Sequence, residues 1–113
     1  MSQMDILEFG KFKKEVDFTD ADFLDKVESA NNRMQQRARN IQKTGKKTDI
    51  IRKNNEIIDK FFDEVFGQES SKKMFGTSQS TKKRVEVYDK MMNIATEQAA
   101  YTNEIANRFQ VRK

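Results

Sequence analysis

The chain has 113 residues, of which 35% are hydrophobic and 35% charged, and its net charge is +4. It contains no Cys and no His, which excludes a disulfide scaffold, a thiol nucleophile, a His base and a Cys/His zinc site. This length predicts one domain, residues 1–113, and no apolar run approaches the roughly 18 residues of a membrane span, so no membrane partner is expected.

Residues 1–18 are predicted to form a β-hairpin. Two short runs with apolar residues flank Gly10-Lys11, and glycine can open the type II′ turn of a two-residue hairpin loop. Lys14 interrupts the apolar face of the second run.

Helix 1 is predicted over residues 19–44. Thr19 fits the N-cap, Asp22 stands where a capping box needs an acceptor, and Phe18 with Phe23 would form a hydrophobic staple. Gly45 is predicted to end the helix. A narrow apolar stripe follows at steps of three and four residues: Phe23, Val27, Ala30, Met34, Ala38 and Ile41.

Helix 2 (48–66) and a short helix (70–75) are predicted around two aromatic segments that each stop at a glycine, Gly67 and Gly76. Glycine adopts positive φ without a steric penalty and so ends helices. The segments contain four phenylalanines and a methionine within fifteen residues of a chain with only two leucines. We therefore expect the centre of the core to consist of Phe61, Phe62, Val65, Phe66 and Phe75.

Helix 3 is predicted over residues 79–109 and is followed by a basic tail, 110–113. The fold class is therefore mainly α, a small three-helix bundle with an N-terminal β-hairpin. Methionine and small residues suit a groove that accepts varied helices of a partner. The predicted partner-binding residues are Tyr88, Met91, Met92, Ala95 and Ala99 of helix 3 with Met34 of helix 1. The alternative is that this stripe is the core of the bundle itself.

Charge alternates in blocks along the chain. Residues 29–53 hold eight bases and one acid, whereas residues 54–69 hold one base and five acids. Complementary blocks of two copies would favour self-association, with Arg33, Arg37 and Arg39 as candidate residues; solvated helix faces are the alternative. The same basic block, interleaved with Asn and Gln, also has the donors that contact phosphates and base edges.

No pattern in the chain indicates catalysis. Asp17, Asp20, Asp22 and Asp25 crowd together, but their spacing fails the calcium loop of an EF-hand. The run from Gly45 to Thr48 resembles the end of a phosphate-binding loop, yet the earlier glycine is missing and no strand precedes it. No enzyme, cofactor or metal site is expected.

Four landmarks resemble a known family of small proteins from siphophages of Gram-positive hosts, the tail assembly chaperones. These proteins have an extended N-terminal segment, an aspartate-rich helix start, an Asp-Glu-Val-Phe-Gly corner with a following Phe-Gly, and a long last helix with a basic tail. The matching segments are Val16 to Phe23, Phe61 to Gly67, Lys73 to Gly76, and Asn107-Arg108 with Arg112-Lys113.

The resemblance implies a non-enzymatic protein of the host cytoplasm that is absent from the mature virion. It would coat the tape measure protein, keep that protein's helices soluble, and help to recruit the tail tube protein, as a homo-oligomer. A nucleic-acid-binding accessory protein that uses the basic 29–53 block is the alternative function. A structural virion protein or coiled-coil adaptor is a third class.

Overall fold

A computed structural model describes residues 5–41 and 43–109, and it confirms the predicted fold class. The described chain is mainly helical, with a two-stranded antiparallel hairpin followed by three longer helices and one short one. The elements are β1 (Asp5–Phe9), β2 (Phe12–Val16), α1 (Ala21–Arg39), α2 (Lys47–Phe66), α3 (Ser70–Phe75) and α4 (Thr81–Phe109). The predicted basic tail 110–113 and residues 1–4 of the predicted hairpin segment lie outside the described residues.

The hairpin turns at Gly10-Lys11, with Phe9 directly opposite Phe12. Gly10 has a φ of +59° and lies so close to α3 that a Cβ there would stand 2.5 Å from the backbone oxygen of Met74. Only glycine satisfies both conditions. The turn of the hairpin therefore packs directly against α3, where Lys11 N donates to Lys73 O at 2.9 Å.

Helix α1 begins later and ends earlier than predicted. Asp20, not Thr19, is the N-cap, because its carboxylate accepts from Asp22 N at 3.0 Å, whereas the Thr19 backbone N–H and hydroxyl both donate to Asp17. The helix stops at Arg39, well before Gly45, with Asn40 as its C-cap. Of its residues only Val27 and Ala30 are fully buried, so its last turn has no core to pack against.

Helix α2 packs antiparallel to α1, since Phe23 lies 6.2 Å from Phe66 while Ile41 shares a cleft with Lys53 at the other end. Helices α1 and α2 therefore form an antiparallel helical hairpin. Residues 39–41 and 43–53, which we call the basic tip, form this end of the molecule.

The predicted glycines at the ends of α2 and α3 both have positive φ, +108° at Gly67 and +58° at Gly76. Their ψ values of 161° and −126° lie outside the left-handed helical region, so each glycine turns the chain away from the helix rather than adding a left-handed residue. Glu69 does adopt the left-handed conformation, with φ 74° and ψ 0°. Asp63 closes the corner, because its carboxylate accepts from Ser71 N at 2.9 Å.

The core lies between the hairpin, the α2–α3 corner and the first half of α4. Phe61 and Phe62 have no exposed surface, and Phe66 is half-buried between the rings of Phe12 and Phe23. The buried apolar residues are Leu7, Phe12, Val16, Phe18, Val27, Ala30, Phe61, Phe62, Val65, Met74, Phe75, Val87 and Met91.

Helix α4 begins beside the middle of α2 and leaves the body at its other end. Asn55 accepts from the hydroxyl of Thr81 at 2.6 Å, and Tyr88 lies 5.5 Å from Phe61. The helix therefore runs parallel to α2 and away from the basic tip, giving a molecule 61 Å long and 29 Å wide. Near the start of α4, Val85 is exposed and Val87 is buried.

Candidate protein-binding surface

Three of the six predicted partner-binding residues belong to the packed body. Met91 has no exposed surface and is part of the core, and Met34 packs against that core. The Tyr88 hydroxyl donates to Asn31 Oδ1 at 2.8 Å, which ties α4 to α1; burial, with the negative charge of Asp89, raises the pKa of this phenol. The space between α1 and α4 at these residues is thus filled by the protein itself.

The other three predicted residues lie where α4 leaves the body. Met92 and Ala95 are half-buried and also pack against the core, and Ala99 is exposed. Ala95 and Ala99 line a shallow groove of about 300 Å³ together with Phe18 and Leu24 at the start of α1. Leu24 was not predicted for this site, because it lies off the narrow apolar stripe of α1.

Gln98 anchors α4 at this point. Its Oε1 accepts from Phe18 N at 2.6 Å, and its Nε2 donates to Val16 O at 3.0 Å and to Asp5 Oδ2 at 3.3 Å. These bonds satisfy backbone groups at the open end of the hairpin. Sequence reasoning missed Gln98, although a polar residue at an apolar stripe position was a signal for such a role.

Beyond Gln98, α4 continues for about three turns as a segment that we call the α4 extension, residues 99–109. The core-facing stripe of α4 continues along it at Thr102, Ile105, Ala106 and Phe109. Phe109 is 78% exposed. The described side-chain interactions of the extension are local: Thr102 Oγ1 donates to Gln98 O, and Arg108 pairs with Glu104 at 3.6 Å.

Two of the three arginines predicted for self-association make ion pairs within their own chain. Arg33 Nε lies 3.1 Å from Glu64 Oε1, and Arg37 Nη2 lies 3.0 Å from Glu64 Oε2. Burial pushes the pKa of Glu64 upward, but the hydrogen bonds and charges of Arg37 and Arg33 outweigh it, so the pKa lies below its ordinary value of 4.5. Arg39 is exposed on the basic tip, and self-association stays a prediction.

Neither a metal site nor a membrane-spanning helix is found in the part of the chain that the structure describes. Within residues 5–41 and 43–109, no group of three or more His, Cys, Asp or Glu side chains is placed to hold a metal ion. None of the described helices is both long enough and apolar enough to cross a membrane.

Comparison with known proteins adds one result. No curated protein and no solved structure shows significant similarity to the chain. A family model described as a family of unknown function, DUF6673, matches residues 10–113. That match covers β2, all four helices and the α4 extension, and on it the chain belongs to the DUF6673 family.

Proposed function

We propose that this protein is a non-enzymatic tail assembly chaperone of a siphophage, acting in the host cytoplasm and absent from the mature virion. Its main partner would be the tape measure protein, whose amphipathic helices it holds in solution while the tail tube protein assembles. The observation that carries the proposal is the apolar stripe of α4, which continues past the body along the α4 extension.

The groove at the base of the extension fits an amphipathic helix. Ala95 and Ala99 are small, so a second helix can approach α4 closely there, and Phe18 with Leu24 supplies an apolar wall on the other side. A helix laid in this groove would bury the stripe as far as Phe109. This is the helix-in-groove mode of recognition, in which every third or fourth residue of the ligand is an anchor.

The energetics of the extension also favour a partner. Most of the stability of a helix in a protein comes from packing its apolar face against other segments. The extension has 11 residues and lies beyond the last anchor at Gln98. A docked helix would supply the packing that the body does not.

The experiment compares two adjacent alanines of α4. Ala99 lines the groove, whereas Ala100 lies 100° further around the helix; both are exposed. Ala99→Glu and Ala100→Glu therefore make the same change in charge, size and helix propensity on two different faces. Each variant is co-expressed with a tape measure protein that is insoluble alone.

We expect wild type and Ala100→Glu to keep the tape measure protein soluble and to co-purify with it. Ala99→Glu should reduce the recovered complex about tenfold, equivalent to about 1.4 kcal/mol, because a carboxylate in an apolar interface is desolvated without a partner. Circular dichroism must show equal helix content in both variants. Equal recovery of the complex with both variants would refute the proposed surface. Failure of wild type to solubilise the tape measure protein would refute the proposed function.

A further inference from the structure

The basic tip is a strongly charged surface that the proposed chaperone function does not use. Residues 39–53 hold six bases and one acid. All six basic side chains are exposed: Arg39, Lys43, Lys46, Lys47, Arg52 and Lys53. In contrast, Arg33 and Arg37 of the same basic block form ion pairs with Glu64, so the fold divides the block into a part that is paired within the chain and the exposed tip.

We propose that the basic tip is a nucleic-acid-binding site that contacts the phosphate backbone independently of base sequence. The tip protrudes at the end of the molecule opposite to the α4 extension, which leaves it open on several sides. Lys46 and Lys47 lie at the start of α2, and Arg52 and Lys53 follow one and a half turns later, about 9 Å along the helix axis. Duplex DNA carries one charge per roughly 1.7 Å of its axis, so these cations span several phosphates.

A cleft between α1 and α2 adds further donors next to the tip. Its volume is about 400 Å³, and Asn40, Lys53 and Lys60 lie on its walls together with Arg37. Glu64 neutralises one of the two charges of Arg33 and Arg37, and Arg37 Nη1 is buried with no hydrogen-bond partner among the described residues. The wall of the cleft therefore keeps a net positive charge, opposed by Glu56.

The chemistry of the tip favours nucleic acid over an acidic surface of a second copy. Its cations stand on both sides of the loop and are interleaved with amide and hydroxyl groups of Asn40, Thr48 and Asn54, the mixture that contacts phosphate and sugar. Lys46, the N-cap of α2, makes no side-chain capping bond. The positive end of the α2 dipole lies at the same place and is partly offset by Asp49 in the first turn of the helix.

The test measures binding of a fluorescent, mixed-sequence DNA duplex to the full chain by anisotropy at several salt concentrations. About four phosphate contacts predict a loss of about hundredfold in affinity between roughly 50 and 200 mM salt. The tip variant replaces Lys46, Lys47, Arg52 and Lys53 by Gln. The control replaces Lys13 and Lys14, an adjacent exposed pair on β2 far from the tip, by Gln. A further variant replaces only Lys46 and Lys47 by Gln, so that it loses the same number of charges as the control.

We expect the tip variant to lose most of its affinity and its salt slope to fall by about 0.9 for each contact removed. The Lys46/Lys47 variant should lose part of both, and the Lys13/Lys14 variant should bind like wild type. Equal losses in the Lys13/Lys14 and Lys46/Lys47 variants would overturn the site, because binding would then follow net charge alone. Absence of binding by wild type, with sedimentation showing oligomers that the tip variant loses, would assign the tip to self-association. Neither result depends on the solubilisation of the tape measure protein.

Discussion

Replacing Asp59 by Ala should destabilise the fold more than any comparable change at an exposed ion pair. Asp59 is the counter-ion of Arg84, whose side chain is only 2% exposed. The guanidinium meets the carboxylate through two bonds, Nε to Oδ1 at 2.7 Å and Nη2 to Oδ2 at 3.1 Å. It also donates to the backbone oxygens of Ser80 and Ser78 and lies 4.5 Å over the ring of Phe75.

The magnitude follows from what Asp59→Ala leaves behind. Arg84 would keep its two carbonyl acceptors but would be a buried charge without a counter-ion, and breaking a buried pair in this way costs about 3–5 kcal/mol. The Asp59 side chain is 28% exposed, so water can enter and the lower end, about 3 kcal/mol, is expected. With an unfolding entropy of about 2.1 cal/mol/K per residue, the Tm should fall by about 12 °C.

Urea unfolding of three variants tests this reasoning. The double variant Asp59→Ala with Arg84→Met should be more stable than Asp59→Ala alone, because removing the orphaned charge removes most of the penalty. Glu104→Ala breaks the exposed Arg108–Glu104 pair, whose side chains are 61% and 65% exposed, and should cost less than about 1 kcal/mol. A loss below about 1 kcal/mol for Asp59→Ala, or no recovery in the double variant, would show that the charge of Arg84 does not depend on this partner.

Two further predictions concern stability. Gly10→Ala should lower the urea midpoint more than Gly76→Ala. Both residues have positive φ, which costs alanine about 1–3 kcal/mol of strain, but only at Gly10 would the new Cβ meet the backbone of Met74. Equal losses would contradict the close packing of the turn on α3. The Glu64 pKa is lower in the folded chain than its ordinary 4.5, so this carboxylate contributes stability above that value and loses it as the pH falls through the folded pKa. The Tm of wild type should therefore drop more steeply below about pH 4.5 than that of Glu64→Gln, and parallel curves would refute the contribution of the Arg37 pair.

The sequence by itself determined the features that depend on local chemistry. Gly10 predicted the hairpin turn, and Gly67 and Gly76 predicted the two helix stops, because positive φ is a property of a single residue and its neighbours. The density of phenylalanine around the corner predicted the core at Phe61 and Phe62, because that much apolar surface has to leave water.

Helix ends were less predictable where support comes from elsewhere in the fold. Thr19 and Asp20 are both competent N-caps, and the hydrogen bonds of Thr19 to Asp17 decided between them. The end of α1 at Arg39 likewise reflects the end of the core beneath the helix. No capping signal in the sequence predicted this position.

Only the tertiary structure decided which residues of a helical stripe are buried and which are exposed. Met91 and Ala99 belong to the same stripe of α4, but the packed body ends between them. Met91 is therefore buried, whereas Ala99 is exposed. Arg84 lies in a basic run that the sequence alone would place in solvent. The fold brings Asp59, 25 residues earlier, to a distance of 2.7 Å between Arg84 Nε and Asp59 Oδ1. Arg33 and Arg37 both pair with the more distant Glu64, which neutralises one of their two charges. The periodicity of a helix tells which residues share a face, but only the packing of distant segments sets how much of that face is covered and which charges are neutralised.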